Sequence, residues 1–382
     1  MPVKPSLAFS TEVYIGAGCR KDLPGIVRPF GRRVLLVTGE GPLLQKAEAL
    51  AASLIEAGLE TVVLPAVAAE PTLETVERVI AAAREAEAEV LVGLGGGSCL
   101  DTAKAAAGIA PTGRETAVFF GGAEADAPGL PWVAVPTTAG SGAEVTPNAV
   151  LIDPSTRVKQ SIRSRFFAAR AAVVDPELAL DLPPAQTAYS GMDALSHAVE
   201  AFTSRGANDL TDILALEAAR LIVEALPRAH RDGADLEARA ALAKASLIAG
   251  IALANARLGA VHGLAHPIGS LYGLPHGLVC AVLLPHVMRL NLRVSYAKYA
   301  RLAEAWGAAS SGDIFDRAAA AIRHLLGLNR RLGIPANLAG LGLVEKDLAW
   351  IVEQTLPSGS LAANPRPLDR GELIEALREN LG

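Results

Sequence analysis

The feature that most constrains this chain is a change of rhythm at residues 181–184, Asp-Leu-Pro-Pro. From Thr11 to about Asp181, short β-branched runs alternate with amphipathic stretches, and beyond that point strand signals nearly vanish. Residues 33–38 (RVLLVT), 60–64 (ETVVL) and 89–93 (EVLVG) read as strands. Residues 42–57 and 72–86 carry apolar side chains at helical spacing, so strand-helix-strand units recur. That pattern predicts a Rossmann-like α/β domain with a mostly parallel sheet, and a second strand group follows at 132–135, 145–153, 158–162 and 172–175. Paired prolines then stop regular structure. Helix-length periodicity governs 187–204, 209–226 and 236–258, with breaks expected at Pro227, Gly259, Pro267, Gly273 and Pro275. The reading is an α/β domain over 1–182 and an all-helical domain over 183–382, with any site drawing on both expected in the cleft between them.

Composition narrows the class of partner. At roughly 100–200 residues per domain, 382 residues that are 51% hydrophobic supply two buried cores. A net charge of -5 without a basic block leaves no electrostatic footprint for nucleic acid. The segment MPVKPSLAFSTEVYIG has no apolar core behind a basic start, so it does not read as a signal peptide. The most apolar helix-like run, 245–256 between Lys244 and Arg257, is shorter than the ~20 residues of a membrane span and reads as a core helix. Cys19, Cys99 and Cys280 are odd in number and widely spaced, fitting neither a disulfide framework nor a Cys-based zinc site, and a reducing cytoplasm is the expected compartment.

Two loops have the makings of a phosphate site. After the strand ending near Val92 comes Gly93-Leu94-Gly95-Gly96-Gly97-Ser98, followed by a helix start containing Asp101. Such a turn exposes backbone N–H groups and the positive end of a helix to a pyrophosphate. Its G-x-G-x-x-S spacing is neither a Walker A nor a strict Rossmann fingerprint, and a merely tight turn reads the same way. The second loop, 136–146 (PTTAGSGAEVT), offers hydroxyls to phosphate or ribose, or satisfies them with its own backbone. Two such loops at strand ends are more telling than one, because ligands of open α/β sheets gather there.

In the helical half, Asp193 and His197 lie four apart on one helix face, able to share a divalent metal or to be a satisfied core pair. Three of the seven histidines, His262, His266 and His276, then fall within fifteen residues. His262 and His266 have H-x-x-x-H spacing, but Gly263 stands where zinc proteases need their glutamate base, which disfavours peptide hydrolysis. One Asp with three His suits Fe(II) or Zn(II).

Taken in order, GGGSCLDTAK, PTTAGSGAEVT, GMDALSHAVEA and VHGLAHPIG followed by PHG resemble the motifs of the iron-containing (group III) alcohol dehydrogenases, a likeness running from residue 15 to about 291. The resemblance implies the fold shared with dehydroquinate synthase: an NAD(P)-binding α/β domain joined to a helical metal-binding domain. It implies that Asp193, His197, His262 and His276 hold a catalytic Fe2+, with Zn2+ a substitute. It places His266 near nicotinamide and substrate, as a proton relay or an orienting group. Gly95, Gly96, Gly97, Ser98 and Asp101 match the pyrophosphate motif, and Thr137, Thr138 and Ser141 the second cofactor loop. Asn148, Lys159 and Leu178 match further cofactor positions through shorter motifs. The implied reaction is hydride transfer between NAD(H) or NADP(H) and a small alcohol, diol or aldehyde, carried out by a homodimer or larger homo-oligomer.

Two departures from the family pattern stand out. Cys280 occupies a place where relatives usually have Asn, which bears on the surroundings of the ligands. Gly39 stands where many NAD-preferring relatives have Asp, so NADP(H) is expected to be accepted as well, with Glu40 one residue later as the counterargument. Glycerol dehydrogenase-like and maleylacetate reductase-like enzymes of the same architecture are the alternatives. Asp193 leading a set of four ligands argues against them. A metal-binding protein without activity leaves both phosphate loops unexplained.

Overall fold

The computed structural model describes residues 5–67, 70–309 and 311–381. The chain divides into two compact units, one running from Phe9 to Asp181 and the other comprising the N-terminal residues up to Ala8 together with Leu182 to Gly382. Asn255 explains why the N-terminal segment joins the helical unit. Its side chain accepts from the Ala8 amide at 2.6 Å and donates to the Ala8 carbonyl at 3.1 Å, while Asn208 bonds the Ser6 carbonyl at 2.9 Å.

The first unit is built on eight strands among the described residues: β1 (Glu12–Ile15), β2 (Arg33–Gly39), β3 (Glu60–Val67), β4 (Val90–Gly95), β5 (Trp132–Pro136), β6 (Asn148–Asp153), β7 (Val158–Arg163) and β8 (Ala171–Val174). Its helices are α1 (Leu23–Val27), α2 (Pro42–Glu56), α3 (Leu73–Glu85), α4 (Gly97–Ile109) and α5 (Thr116–Phe120). Six strands form a parallel sheet in the order β1-β8-β5-β4-β2-β3. Every residue of β4 and β5 is buried, as expected of central parallel strands covered on both faces. One face packs Val34, Leu36, Val92 and Val133 against Leu50 and Leu54 of α2. The four later strands anticipated from the sequence do not stay together. β5 and β8 join the parallel sheet, whereas β6 and β7 pair with each other as an antiparallel hairpin.

The second unit is helical: α6 (Pro184–Thr203), α7 (Asp209–Arg231), α8 (Leu236–Ala256), α9 (Ala260–Tyr272), α10 (His276–Leu290), α11 (Leu292–Ala305), α12 (Ile314–Arg331), α13 (Leu348–Thr355) and α14 (Arg370–Glu379). From Gly191 to Thr203, α6 is buried at every residue, which makes it the core helix. Gly259, Gly273 and Pro275 cap helices as anticipated, but Pro227 and Pro267 do not break the chain and lie inside α7 and α9. A proline within a helix costs about 3 kcal/mol through its missing N–H and ring clash. Here burial of the surrounding apolar face outweighs that local penalty. No single helix among the described residues is long and apolar enough to cross a membrane; α8 with α9, and α10 with α11, reach the length only as pairs bent by 106° and 117°.

Candidate active site

On α6, Asp193, His197 and Glu200 are spaced by four and three residues, so the helix turns all three to one side. Helix α9 supplies His262 and His266, and α10 opens on His276. Gly277 lets α10 lie flush on α6. A Cβ there would sit 2.1 Å from the Tyr189 carbonyl oxygen and 3.3 Å from the Asp193 Cβ.

The close approach converges three imidazoles on one oxygen. Asp193 Oδ1 lies 3.5 Å from His262 Nε2, 3.6 Å from His276 Nε2 and 3.8 Å from His197 Nε2. The rings of His197 and His262 stack at 4.5 Å. Asp193 is 7% exposed, and its Oδ1 receives no hydrogen bond. Burial alone would raise the Asp193 pKa, but His197, His276 and His262 together hold its carboxyl well below the usual range. Glu200 orients the set. Its Oε2 lies 2.6 Å from His262 Nδ1, and its Oε1 accepts from the Val261 amide at 2.7 Å. With Nδ1–H given to a carboxyl oxygen, His262 turns Nε2 toward Asp193.

Cys280, one helical turn after His276, completes the wall. Its Sγ is 3.5 Å from His276 Nε2 and 3.9 Å from His262 Nε2. Burial pushes the thiol up to about 12, so without a cation it is a neutral S–H. The donor atoms of Asp193, His262, His276 and Cys280 all fall within 4.8 Å of one another. Donors held about 2.1 Å from a tetrahedral ion stand ~3.4 Å apart, so the spacings around Asp193 Oδ1 fit a divalent metal. A buried carboxylate oxygen without a donor is otherwise costly. His266 stands beside the cluster, its ring 5.2 Å from that of His276.

In the α/β unit the two polar loops meet. Strands β4 and β5 are neighbours, with Gly95 opposite Pro136, and the Thr137 amide bonds the Gly95 carbonyl at 3.0 Å. A Cβ on Gly97 would be 2.9 Å from Ser141 Oγ, and one on Gly96 would be 3.4 Å from Thr138 Oγ1. Gly95, Gly96, Gly97, Ser98, Thr137, Thr138 and Ser141 thus gather at the carboxyl ends of two central strands. The N-cap of α4 is Gly96, which makes no side-chain capping bond, and the first-turn amides of a helix can take an anion.

The remaining residues singled out from the sequence are engaged within the protein. Asp101 Oδ1 takes the Lys104 ammonium at 2.9 Å, and Oδ2 takes the Val150 amide at 2.9 Å. Lys104, fully buried, also reaches Thr146 Oγ1 at 3.3 Å and the carbonyl of Asn148 at 2.6 Å. Lys159 pairs with Glu70 at 2.6 Å. Leu178 belongs to the sheet core, its carbonyl bonded by Lys46 at 2.6 Å. Gly39 is buried at the end of β2. A Cβ there would meet Leu43 Cδ1 at 3.0 Å and the Val67 carbonyl oxygen at 3.1 Å, so the glycine is also a packing requirement. Sequence reasoning passed over Glu200, although its helical spacing from Asp193 and His197 was the available signal. It also passed over Lys104, whose role needs the second loop in place.

A model described as iron-containing alcohol dehydrogenase matches residues 10–176, and one described as Fe-containing alcohol dehydrogenase family, C-terminal, matches 187–381. The chain is 40% identical over 354 residues to the 1,3-propanediol dehydrogenase of Citrobacter freundii, covering 91% of each chain. It is 34% identical over 372 residues to the NAD-dependent methanol dehydrogenase of Bacillus methanolicus, covering 96% of this chain and 97% of the relative. The crystal structure of a 1,3-propanediol oxidoreductase superimposes with a TM-score of 0.93 at 37% identity, covering 98% of this chain and 99% of that one. The chain belongs to the iron-containing alcohol dehydrogenase family and is an oxidoreductase.

Proposed function

We propose that this enzyme interconverts a small primary alcohol or diol and its aldehyde, with NAD(H) as cofactor and NADP(H) also accepted. The observation that carries the reading is the convergence of three imidazole nitrogens on the buried, donor-less Oδ1 of Asp193. Asp193, His197, His262 and His276 would hold Fe2+, or Zn2+ in its place. When bound, the metal supplies Lewis acidity toward the substrate oxygen and the nicotinamide exchanges the hydride. Glu200 fixes the tautomer of His262, and His266 moves the proton between site and solvent. The glycine turn at 95–98 and Thr137, Thr138 and Ser141 would take the cofactor phosphates.

The substrate class is supported by the names of the methanol and 1,3-propanediol dehydrogenases, and the cofactor by the first of these. Acceptance of NADP(H) is supported by Gly39, which puts no carboxylate at the end of β2. A cytoplasmic setting is supported by Cys19, Cys99 and Cys280, all unpaired. A homodimer or larger assembly is supported by edge strand β1, which has one sheet neighbour and exposes Tyr14 and Ile15.

The test is anaerobic purification with metal analysis, followed by NADH and NADPH oxidation with short aldehydes. Stoichiometric metal and activity lost on chelation are expected. Undiminished turnover in metal-free protein would overturn the reading.

A further inference from the structure

We propose that Cys280 is an additional donor to the metal of this site, giving it a sulfur contact that a purely nitrogen and oxygen set lacks. The proposal rests on the metal reading above and adds a residue to it. Its first support is geometric. Cys280 follows His276 by four residues on α10, so both side chains leave the same face. Sγ stands 3.5 Å from His276 Nε2 and 3.9 Å from His262 Nε2. An ion with arms of about 2.1 Å to nitrogen and about 2.3 Å to sulfur separates neighbouring donors of a five-coordinate set by ~3.1–3.8 Å. The sulfur therefore occupies a donor position relative to two of the imidazoles.

The second support is the carboxylate with which the sulfur is clustered. Asp193 Oδ1 is buried and without a hydrogen-bond donor, and a carboxylate oxygen of Asp193 closes with donor atoms of His262, His276 and Cys280 to within 4.8 Å, so Sγ borders the same donors that the metal reading uses. Cys280 is fully buried and is not part of a disulfide, which leaves its sulfur to the cluster. On coordination the S–H bond breaks, a sulfur–metal bond forms and the proton leaves for solvent, with no change of oxidation state. Thiolate favours zinc and cobalt over harder ions, so the contact would shift metal preference in that direction.

The experiment is cobalt(II) reconstitution of the natural protein and of Cys280→Ser under anaerobic conditions, read by electronic absorption, with X-ray absorption of the zinc-loaded natural protein. The expected result is a near-ultraviolet thiolate-to-cobalt band in the natural protein that disappears in Cys280→Ser, whose visible cobalt bands persist. A sulfur scatterer at about 2.3 Å from zinc should accompany it. Stoichiometric cobalt without that band, or zinc without sulfur, would show Cys280 to be a neighbour and leave the metal reading standing. Protein that binds no cobalt would remove both. If Cys280→Ser fails to fold, the X-ray absorption of the natural protein decides alone.

Discussion

Two buried polar clusters, one in each unit, look alike in composition and differ in completeness. In the α/β unit, Asp101 and Lys104 satisfy each other, and their remaining contacts go to Val150, Thr146 and Asn148. In the helical unit, Asp193 gathers three imidazoles around an oxygen that receives no hydrogen bond. The first cluster is closed by the chain itself and ties helix α4 to the segment leading from the second loop into β6. The second is not satisfied by hydrogen bonds at Asp193 Oδ1, and its donor spacing fits a divalent cation. Buried charge alone therefore does not mark a site; in the helical unit the mark is a buried carboxylate oxygen that three imidazoles face and no hydrogen-bond donor satisfies.

The sharpest way to break this contrast is a matched pair of substitutions. His276→Ala should lower metal retention by more than ~100-fold, a larger loss than removing an orienting neighbour, while metal-free stability barely changes. Lys104→Met should do the opposite, leaving Asp101 buried and unpaired at a cost of about 3–5 kcal/mol while the purified protein keeps its metal. Metal analysis and urea unfolding of both variants check the pair, and interchange of the two outcomes would reverse the assignment.

The next effect concerns pH. Burial pushes Glu144 up to about 7 from its ordinary 4.5, against the pull of Lys104. A carboxyl with a raised folded pKa contributes stability that is fully present below the unfolded value and is lost as pH rises toward the folded one. Over that window the natural protein should lose on the order of 3 kcal/mol relative to Glu144→Gln. Thermal unfolding at pH 5 and pH 8 measures it, and a constant difference between the two proteins would show that Glu144 does not titrate there.

The smallest effect tests orientation within the open cluster. Glu200→Gln keeps an acceptor for His262 but removes the charge, and should weaken metal binding by roughly 10–100-fold. A chelator-competition titration reads this directly. Unchanged affinity would mean that the fold orients His262 without Glu200.

Much of this could be read from sequence because local physics writes it there. The α/β rhythm before Asp181 and the helical rhythm after Pro184 follow from side-chain periods of two and 3.6, which each segment displays by itself. The pairing of Asp193 with His197 has the same origin, since both sit on one helix. Partner choice among strands is not a local property, so the sequence alone did not separate β5 and β8 from the β6–β7 hairpin. Local rules also failed where packing outweighed them, as at Pro227 and Pro267. Residue types and their spacing along each helix belonged to the sequence by itself. Only the tertiary structure, by pressing α10 onto α6 at Gly277 and bringing α9 to Glu200, decided that His262, His276 and Cys280 face one buried oxygen. Distances between helices depend on the packing of whole faces, and no single segment encodes them.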